Sequence, residues 1–370
     1  MIKVFLIDGS AVFRTYLKAM FQTDPQIELI GSAFEPEFAK RSLQKQWPDV
    51  IVLDVNLPKM DGSIFVKAIM ATRPTPVLIL TNETDTSISR SMEALMAGAV
   101  QIFAKPKNGL KRYSKDEEDL LINSIKSLAG VKRRKLSVSQ MQARVENTKI
   151  TVANEKLNAD VILPALSVQA IKKVTQRIIA IGTSMGGTKA LEVMLSKLPM
   201  LTPGIVIVQH MPEMFTKAFA DRLNAICKIE VHEARDGDAL IPGVALLSPG
   251  NKHMLVNRIN RDYYIELKEG PHVCRHKPSV DVLFRSVANA AGFNAIGVIM
   301  TGMGDDGAQG MLELHNAGAT TIAQDEESCV VFSMPREAIE RGAVDKIVPL
   351  QKIASEIMEL AEKKSKITSC

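Results

Sequence analysis

The sequence predicts two successive α/β halves, each built on an open, doubly wound parallel sheet. Its 370 residues exceed what one ordinary domain needs. Short apolar runs alternate with helical patterns up to about residue 127 and again from residue 175. Between them, residues 128–174 are polar and lack a sustained apolar period. We therefore predict a first domain at 1–127, a linker at 128–174 and a second domain at 175–365.

In the first half, strand-like apolar runs occur five times and are separated by helical patterns. Apolar runs this short are typical of strands buried on both faces of a parallel sheet. The pattern therefore predicts a five-stranded parallel sheet covered by helices. The predicted strands are 2–7, 28–33, 50–53, 77–80 and 101–103, and the predicted helices are 12–21, 35–46, 63–72 and 87–97.

The alternation of short apolar runs and helical patterns resumes at Arg177. One segment differs: at 253–267, two β-rich stretches flank the turn residues 260–262, which predicts a β-hairpin inserted in the second sheet. Within the linker, we predict a partial helix at 137–149. The predicted strands of the second half are 178–181, 204–208, 244–247, 295–300 and 320–323.

Charge, cysteine content and hydropathy exclude several classes of function. Much of the net charge of +5 lies in residues 132–135 and in the C-terminal tail, without interleaved aromatic residues, so we expect no nucleic-acid binding. Four scattered cysteines without zinc-ligand spacing predict reduced thiols. No apolar run approaches the ~18 residues of a membrane span, and no signal peptide is evident. We therefore expect a cytoplasmic protein that does not insert into membranes.

Polar side chains stand at the ends of four predicted strands in the first half, where open parallel sheets bind ligands. A carboxylate beside a divalent cation, a hydroxyl and an ammonium group can accept a phosphoryl group, because the cations neutralise oxygen charge. Any one of these residues alone would suggest only a solvated loop. Together they favour a phosphoryl-acceptor pocket. The four residues are Asp8, Asp54, Thr81 and Lys105.

This pattern resembles a bacterial response-regulator receiver domain. The resemblance implies a flavodoxin-like fold and phosphorylation of Asp54, with Thr81 and Lys105 as the hydroxyl and the lysine of the family. The family carries two adjacent acids after its first strand, but here Gly9 follows Asp8. We therefore expect weakened Mg²⁺ binding by Asp8, Asp54 and the backbone carbonyl of Asn56, through waters. The matching stretches are 7–10, 53–62, 80–81 and 103–106.

In the second half, Gly182-Thr183-Ser184-Met185-Gly186 lies directly after a predicted strand and before a helical pattern. A G-x-S-x-G sequence in that position is typical of a nucleophile elbow, and the helix N-terminus beyond it can stabilise an oxyanion. Two other interpretations remain open at this point. The glycines could form only a tight structural turn, or they could cradle a phosphate, although the G-x-G-x-x-G order is not met.

A nucleophilic serine needs a base. His210 is the best candidate because it ends an apolar strand one βα unit after Ser184, on the same edge of the sheet. His232 and His315 lie in strand-like and helical stretches and suit ordinary packing. The other histidines in or beside loops, which could also serve, are His253, His272 and His276.

The orienting acid is predicted in the glycine-rich segment 301–307, which follows the most hydrophobic strand of the chain. Flexible glycines around a paired acid suit a carboxylate aimed into a site, although a plain Gly-Asp turn is the simpler interpretation of the stretch alone. The pattern does not separate Asp305 from Asp306.

Five segments in order resemble the catalytic domain of the chemotaxis protein-glutamate methylesterase. The resemblance implies a triad of Ser184 as nucleophile, His210 as general base and Asp306, the second acid of the pair, as the orienting acid. We expect oxyanion donors at the backbone N–H groups of Met185 or Met303. The segments are 182–188, 208–212, 247–254, 277–284 and 301–307.

The resemblance also implies hydrolysis of glutamate γ-methyl esters on methyl-accepting chemotaxis receptors, and deamidation of receptor glutamines. The esterase needs no cofactor, and Mg²⁺ serves only the phosphorylation of the first domain, for which the chemotaxis histidine kinase is the expected phosphodonor. We expect a monomer whose first domain inhibits the second until Asp54 is phosphorylated.

Two functions from other classes fit the sequence less well. A transcriptional response regulator would carry a helix-turn-helix module of roughly 60–100 residues after the linker, but the second half is larger and has βα rhythm. A non-catalytic receptor-binding module would not need the complete serine, histidine and aspartate set.

Overall fold

The computed structural model describes residues 1–57, 60–106, 112–137, 156–165 and 176–363. The chain divides into two compact units, Met1–Lys156 and Leu157–Cys370.

The first unit is built on a five-stranded sheet of order β2-β1-β3-β4-β5, in which all neighbours are parallel. Every residue of β3 and β4 is buried, as their apolar sequences predict. This arrangement confirms the predicted parallel sheet. The strands are β1 (Ile2–Ile7), β2 (Ile27–Ala33), β3 (Val50–Asp54), β4 (Val77–Thr81) and β5 (Gln101–Ala104), and the helices are α1 (Ala11–Gln22), α2 (Pro36–Lys45), α3 (Gly62–Thr72), α4 (Asp85–Met96) and α5 (Lys115–Ser137).

Three of these helices begin at residues whose side chains cap them. Ser10, Asp61 and Thr84 accept hydrogen bonds from backbone N–H groups in the first turns of α1, α3 and α4. Such caps satisfy N–H groups that have no partner inside the helix. They fix where each helix starts, beyond the strand ends that carry the polar pocket.

The boundaries of the linker differ from the predicted 128–174. Helix α5 continues to Ser137, because lysine and arginine are good helix formers and a basic run does not end a helix. The helix predicted at 137–149 lies, apart from Ser137, outside the described residues. Residues 157–165 belong to the second unit, where Ala159–Val161 form a 3₁₀ turn.

The second unit has a seven-stranded, all-parallel sheet of order β14-β13-β12-β6-β7-β9-β8. Its three central strands, β12, β6 and β7, are buried throughout. The strands are β6 (Ile178–Thr183), β7 (Gly204–Gln209), β8 (Glu230–Glu233), β9 (Val244–Leu247), β12 (Ala295–Ile299), β13 (Thr320–Gln324) and β14 (Lys346–Val348). The helices are α6 (Gly187–Leu195), α7 (Glu213–Ile226), α8 (Val280–Ala290), α9 (Ala308–Asn316), α10 (Ser333–Glu340) and α11 (Leu350–Lys363).

The predicted hairpin is present as β10 (His253–Ile259) and β11 (Asp262–Lys268), paired antiparallel. It forms a separate two-stranded sheet, so its predicted insertion in the large sheet is wrong. Val256 and Ile265 from the hairpin pack in one apolar core with Val287 of α8. The hairpin thereby covers α8, the helix whose N-terminus enters the candidate site.

Candidate active site

Ser184 lies in the turn between β6 and α6 and is 5% exposed. The turn is tight because Gly186, the residue before α6, has a φ of 77°, a left-handed conformation that favours glycine. Gly187 is also required for space, since a Cβ there would lie 2.1 Å from Thr183 Oγ1 and 2.2 Å from Gln209 Oε1. The glycines that the sequence singled out therefore shape the backbone around the serine.

The segment after β12 is bound to this turn. The Ser184 N–H donates to the Thr301 carbonyl at 3.0 Å, and the Thr301 hydroxyl donates to the Met185 carbonyl at 2.9 Å. A Cβ on Gly302 would lie only 2.9 Å from Ser184 Cβ. The turn after β6 and the loop after β12 are thus held in direct contact at the serine.

His210 is brought beside Ser184 by strand register. Thr183 and Gln209 are paired neighbours at the ends of β6 and β7, and the next residues are Ser184 and His210. The Gln209 side-chain amide donates to the backbone carbonyls of both Ser184, at 2.8 Å, and His210, at 3.0 Å. This amide fixes the two backbone segments relative to each other.

The imidazole of His210 contacts Asp306. The distance between His210 Nε2 and Asp306 Oδ2 is 2.8 Å, and both side chains are buried. His210 Nδ1 is buried and has no hydrogen-bond partner among the described residues. Because the Nε2 proton is held by a carboxylate, Nδ1 carries the lone pair that can take a proton. The base would therefore act through Nδ1.

The structure separates the two acids that the sequence left open. Asp306 is 1% exposed and reaches His210. Asp305 is partly exposed, and its Oδ2 lies 3.7 Å from Arg341 Nη2.

Asp306 is held at the N-terminus of α8. Its carboxylate accepts hydrogen bonds from Ser279 Oγ at 2.8 Å and from the N–H groups of Val280, at 2.8 Å, and Asp281, at 3.0 Å. Burial alone would raise the pKa of Asp306, but hydrogen bonding and positive charge from His210, with a contribution from His276, lower it to about 2. The acid is thus ionised throughout the neutral pH range.

Asp281 forms a second buried carboxylate beside the first. It accepts a hydrogen bond from the Gly310 N–H at 2.7 Å and from Cys274 Sγ at 3.1 Å. Burial, together with the charge of Asp306, raises the pKa of Asp281 to about 7. Ligand atoms of Cys274, Asp281 and Asp306 all lie within 4.8 Å of one another, the spacing of a possible metal site. Among the described residues, hydrogen bonds join Cys274 to Asp281 and Asp281 to Asp306 directly.

Three further histidines, His253, His272 and His276, lie in the segment 253–276. His253 Nδ1 accepts a hydrogen bond from the Ser279 N–H at 3.3 Å, which places it behind Asp306, and burial lowers the pKa of this imidazole. His276 stacks on His210, with ring centroids 3.7 Å apart and planes inclined by 9°. His272 is exposed. Sequence reasoning named these three only as alternative bases, and it missed Ser279 and Asp281, whose signal was their position in the 277–284 motif.

The two expected oxyanion donors lie in the turn after β6 and in the loop after β12. Met185 precedes α6 and is fully buried, and its N–H makes no hydrogen bond to the described residues. Met303 lies in the loop after β12, two residues beyond Thr301, and is half-buried.

In the first unit, Lys105 joins the two acids of the predicted pocket. Its Nζ donates to Asp8 Oδ2 at 2.6 Å and to Asp54 Oδ2 at 2.8 Å. Asp8 is fully buried, and burial raises its pKa, although Lys105 opposes the shift. The buried Thr81 hydroxyl instead donates to the Asn82 carbonyl at 3.2 Å. All four predicted residues stand at the carboxyl edge of one sheet, and three of them are in direct contact.

The donor chemistry of this pocket suits Mg²⁺. Two carboxylates and the Asn56 carbonyl are hard oxygen ligands, and Mg²⁺ retains several waters in such sites. The backbone N–H groups of Ser10 and Asn56 donate to Asp8 Oδ1 and Asp54 Oδ1, respectively, and orient the two carboxylates. Gly9, directly after Asp8, is exposed and supplies no further acid.

Among the described residues, no helix is both long and apolar enough to span a membrane.

Both halves of the chain match known protein families. The sequence model described as CheB methylesterase matches residues 179–357, and the one described as response regulator receiver domain matches residues 4–112. The protein-glutamate methylesterase/protein-glutamine glutaminase 3 of Shewanella oneidensis is 51% identical over 97% of this chain and 99% of its own. A counterpart in Albidiferax ferrireducens is 52% identical over 95% of this chain and 98% of its own.

A solved structure supports the fold of the second unit. The crystal structure of the Thermotoga maritima CheB methylesterase catalytic domain is 38% identical, with a TM-score of 0.50, and the match covers 50% of this chain and 100% of that domain. Taken with the near-full-length relatives, this shows that the chain belongs to the CheB methylesterase family, with a response-regulator receiver domain ahead of the methylesterase domain.

Proposed function

We propose that this chain hydrolyses glutamate γ-methyl esters of methyl-accepting chemotaxis receptors and deamidates receptor glutamines, under control of its receiver domain. One observation carries the proposal: His210 Nε2 lies 2.8 Å from Asp306 Oδ2, and the strand that precedes His210 is paired with the strand that precedes Ser184. Relatives that match this chain over nearly their whole length bear the names of both activities.

The geometry supports acyl transfer by a serine. Ser184 Oγ attacks the γ-carbonyl carbon while His210 Nδ1 takes the hydroxyl proton and Asp306 holds the imidazolium through Nε2. That proton then passes to the leaving group, so that methanol departs from an ester and ammonia from an amide. Water attacks the acyl-serine with His210 as base, and the receptor carboxylate and free Ser184 are restored.

The oxyanion of each tetrahedral intermediate needs hydrogen-bond donors. The Met185 N–H, at the N-terminal end of α6, is buried beside the serine, and the Met303 N–H lies in the loop tied to the same turn. We assign both as oxyanion donors, because backbone N–H groups held in place cost no reorganisation during reaction.

In the receiver domain, we assign Asp54 as the phosphoryl acceptor from a chemotaxis histidine kinase. Lys105 Nζ lies 2.8 Å from its carboxylate and can neutralise a phosphoryl oxygen. Asp8, Asp54 and the Asn56 carbonyl would hold Mg²⁺, which offsets oxygen charge when bound. The receiver inhibits the esterase until Asp54 carries phosphate. The protein acts in the cytoplasm, as a monomer, and without nucleic acid.

The test is the release of tritiated methanol from membranes that carry methyl-labelled chemoreceptors. We expect activity from the full chain, stimulation by the small phosphodonor acetyl phosphate in the presence of Mg²⁺, and no stimulation in Asp54→Asn. Ser184→Ala and His210→Ala should each abolish nearly all release, because triad members act as a unit. Substantial release by Ser184→Ala would refute the assignment.

Inhibition of the esterase by the receiver is tested by a separate measurement. A chain that begins at Leu157 should release methanol faster than the full chain without phosphodonor. Equal rates for the two would exclude inhibition by the receiver.

A further inference from the structure

His276 lies outside the triad, yet its ring stacks on the base. The two imidazole planes are inclined by only 9°, and their centroids are 3.7 Å apart. Aromatic rings in proteins usually pack with centroids ~4.5–7 Å apart, so this contact is close. The side chain of His210 is 5% exposed, and Asp306 fixes one of its ring nitrogens. The stack therefore adds a constraint on a ring that is already held at one edge.

The turn that carries His276 has an unusual backbone. Val273 and His276 exchange two backbone hydrogen bonds, of 3.0 and 2.9 Å, which close a two-residue turn. Its central residues, Cys274 and Arg275, have φ angles of 49° and 68°. Left-handed conformations at both central positions normally select glycine, asparagine or aspartate. Strain of this kind persists only where the surroundings hold the backbone, and it clusters at functional sites.

The surroundings hold the turn from two sides. On one side, the Cys274 N–H donates to the Leu157 carbonyl at 2.9 Å, and the fully buried Val273 packs in an apolar cluster with Ile162. On the other side, Cys274 Sγ donates to Asp281, whose own N–H donates to Asp306. The strained turn and the orienting acid are thus connected through one side chain.

We propose that His276 is a positioning residue, which restricts the His210 imidazole so that Nε2 stays on Asp306 and Nδ1 remains available to the reacting serine. The inference deepens the proposed esterase function and rests on it. A ring packed flat on the imidazole opposes its rotation out of the Asp306 plane.

The test compares His276→Ala and His276→Phe in the full chain, activated by acetyl phosphate, with methanol release from methyl-labelled receptor membranes as the assay. We expect His276→Ala to lower kcat about 10–100-fold, because misorientation of a catalytic group has effects of that size, while KM stays nearly constant. His276→Phe keeps a flat ring and should restore most of kcat. His272→Ala, which removes an exposed histidine from the same loop, is the matched control and should behave as wild type.

A second readout does not depend on activity. In histidine-labelled protein, the downfield proton resonance of the His210 Nε2–H hydrogen bond should be sharp in wild type and His276→Phe and broadened in His276→Ala. An unchanged kcat in His276→Ala overturns the proposal, and so does a rise in KM alone, which would make His276 a substrate-binding residue. Ser184→Ala is measured alongside. If the proposed esterase function is wrong, Ser184→Ala is as active as wild type. If only the proposed role of His276 is wrong, Ser184→Ala loses its activity while His276→Ala keeps the wild-type kcat.

Discussion

His210 and Asp306 meet through one hydrogen bond of 2.8 Å between Nε2 and Oδ2, so that Nδ1 of the same ring is left without a hydrogen-bond partner among the described residues. The acid therefore determines which ring nitrogen keeps a free lone pair.

Replacement of Asp306 by asparagine should change that assignment. An amide can donate to Nε2, which moves the ring proton to Nδ1 and removes the lone pair that the reaction needs. We expect Asp306→Asn to lower kcat by about 10³–10⁴-fold, the size of effect that the wrong tautomer produces in serine hydrolases. Asp305→Asn is the matched control, since Asp305 faces Arg341. Equal losses in both variants would contradict the assignment.

Gly302 should not tolerate a side chain. A Cβ there would lie 2.1 Å from Met334 Sδ and 2.9 Å from Ser184 Cβ, so the loop must move away from the serine. A displacement of about 1 Å can cost on the order of 100-fold in rate, and we expect Gly302→Ala to lose at least that much esterase activity. Gly130→Ala controls for the substitution itself, because Gly130 lies in helix α5 and a Cβ there would meet nothing within 4 Å. Comparable activity in both alanine variants would show that the contact is unimportant.

Asp281 should make the second unit less stable as pH rises. Its pKa is raised to about 7 in the fold from an ordinary value of 3.8, so the folded state holds a proton that the unfolded state has lost between these values. The free energy of unfolding therefore falls as pH increases from about 4 to above 7. One pKa unit corresponds to ~1.4 kcal/mol, so the effect is at most about 4 kcal/mol.

Asp281→Asn tests this directly, because the amide oxygen can still accept from Gly310. Urea unfolding of a chain that begins at Leu157 should show greater stability than wild type at pH 8 and little difference at pH 5. A constant difference at both pH values would mean that Asp281 does not titrate in this range.

The segment 157–165 should stabilise the catalytic unit. Asp160 lies 2.5 Å from Arg285 Nη1, and the Ile162 carbonyl accepts a hydrogen bond from Lys268. Ile162 and Ala159 are buried against the turn that carries His276. A chain that begins at residue 176 should therefore be about 2–4 kcal/mol less stable than one that begins at Leu157. Thermal unfolding followed by circular dichroism measures the difference, and equal midpoints would place this segment outside the cooperative unit.

Much of the fold could be predicted because parallel strands buried on both faces have an unmistakable composition. The run at 178–181 and the strand β6 begin at the same residue. Short edge strands carry a weaker signal: β8 was recognised only as a strand-like stretch around His232, and β14 was missed. Both contain charged residues and are partly exposed, since one side of each has no neighbour in the sheet. The hairpin turn at 260–262 was recognisable from the sequence. The helix on which the hairpin packs, α8, was not, because that contact joins residues distant in sequence.

The candidate site likewise has parts that the sequence could predict and parts that it could not. The positions of Ser184 and His210 at neighbouring strand ends could be predicted, because each follows a short apolar run and one βα unit separates the two. The distinction between Asp305 and Asp306 could not, because a glycine-rich loop has no periodicity that tells which side chain points inward. The stack of His276 on His210 depends on left-handed backbone at Cys274 and Arg275, which residue preferences argue against. Strain that the tertiary structure imposes is invisible to local propensity.

The order of strands in the second sheet has a consequence for biosynthesis. Ser184 and His210 follow β6 and β7, the first two strands of this sheet to be made, whereas Asp306 follows β12, which pairs on the opposite side of β6. Domains fold as units when the chain emerges during synthesis. A nascent or proteolytically shortened chain that ends before β12 therefore contains Ser184 and His210 but lacks Asp306, so we expect such partial products to be unable to demethylate receptors.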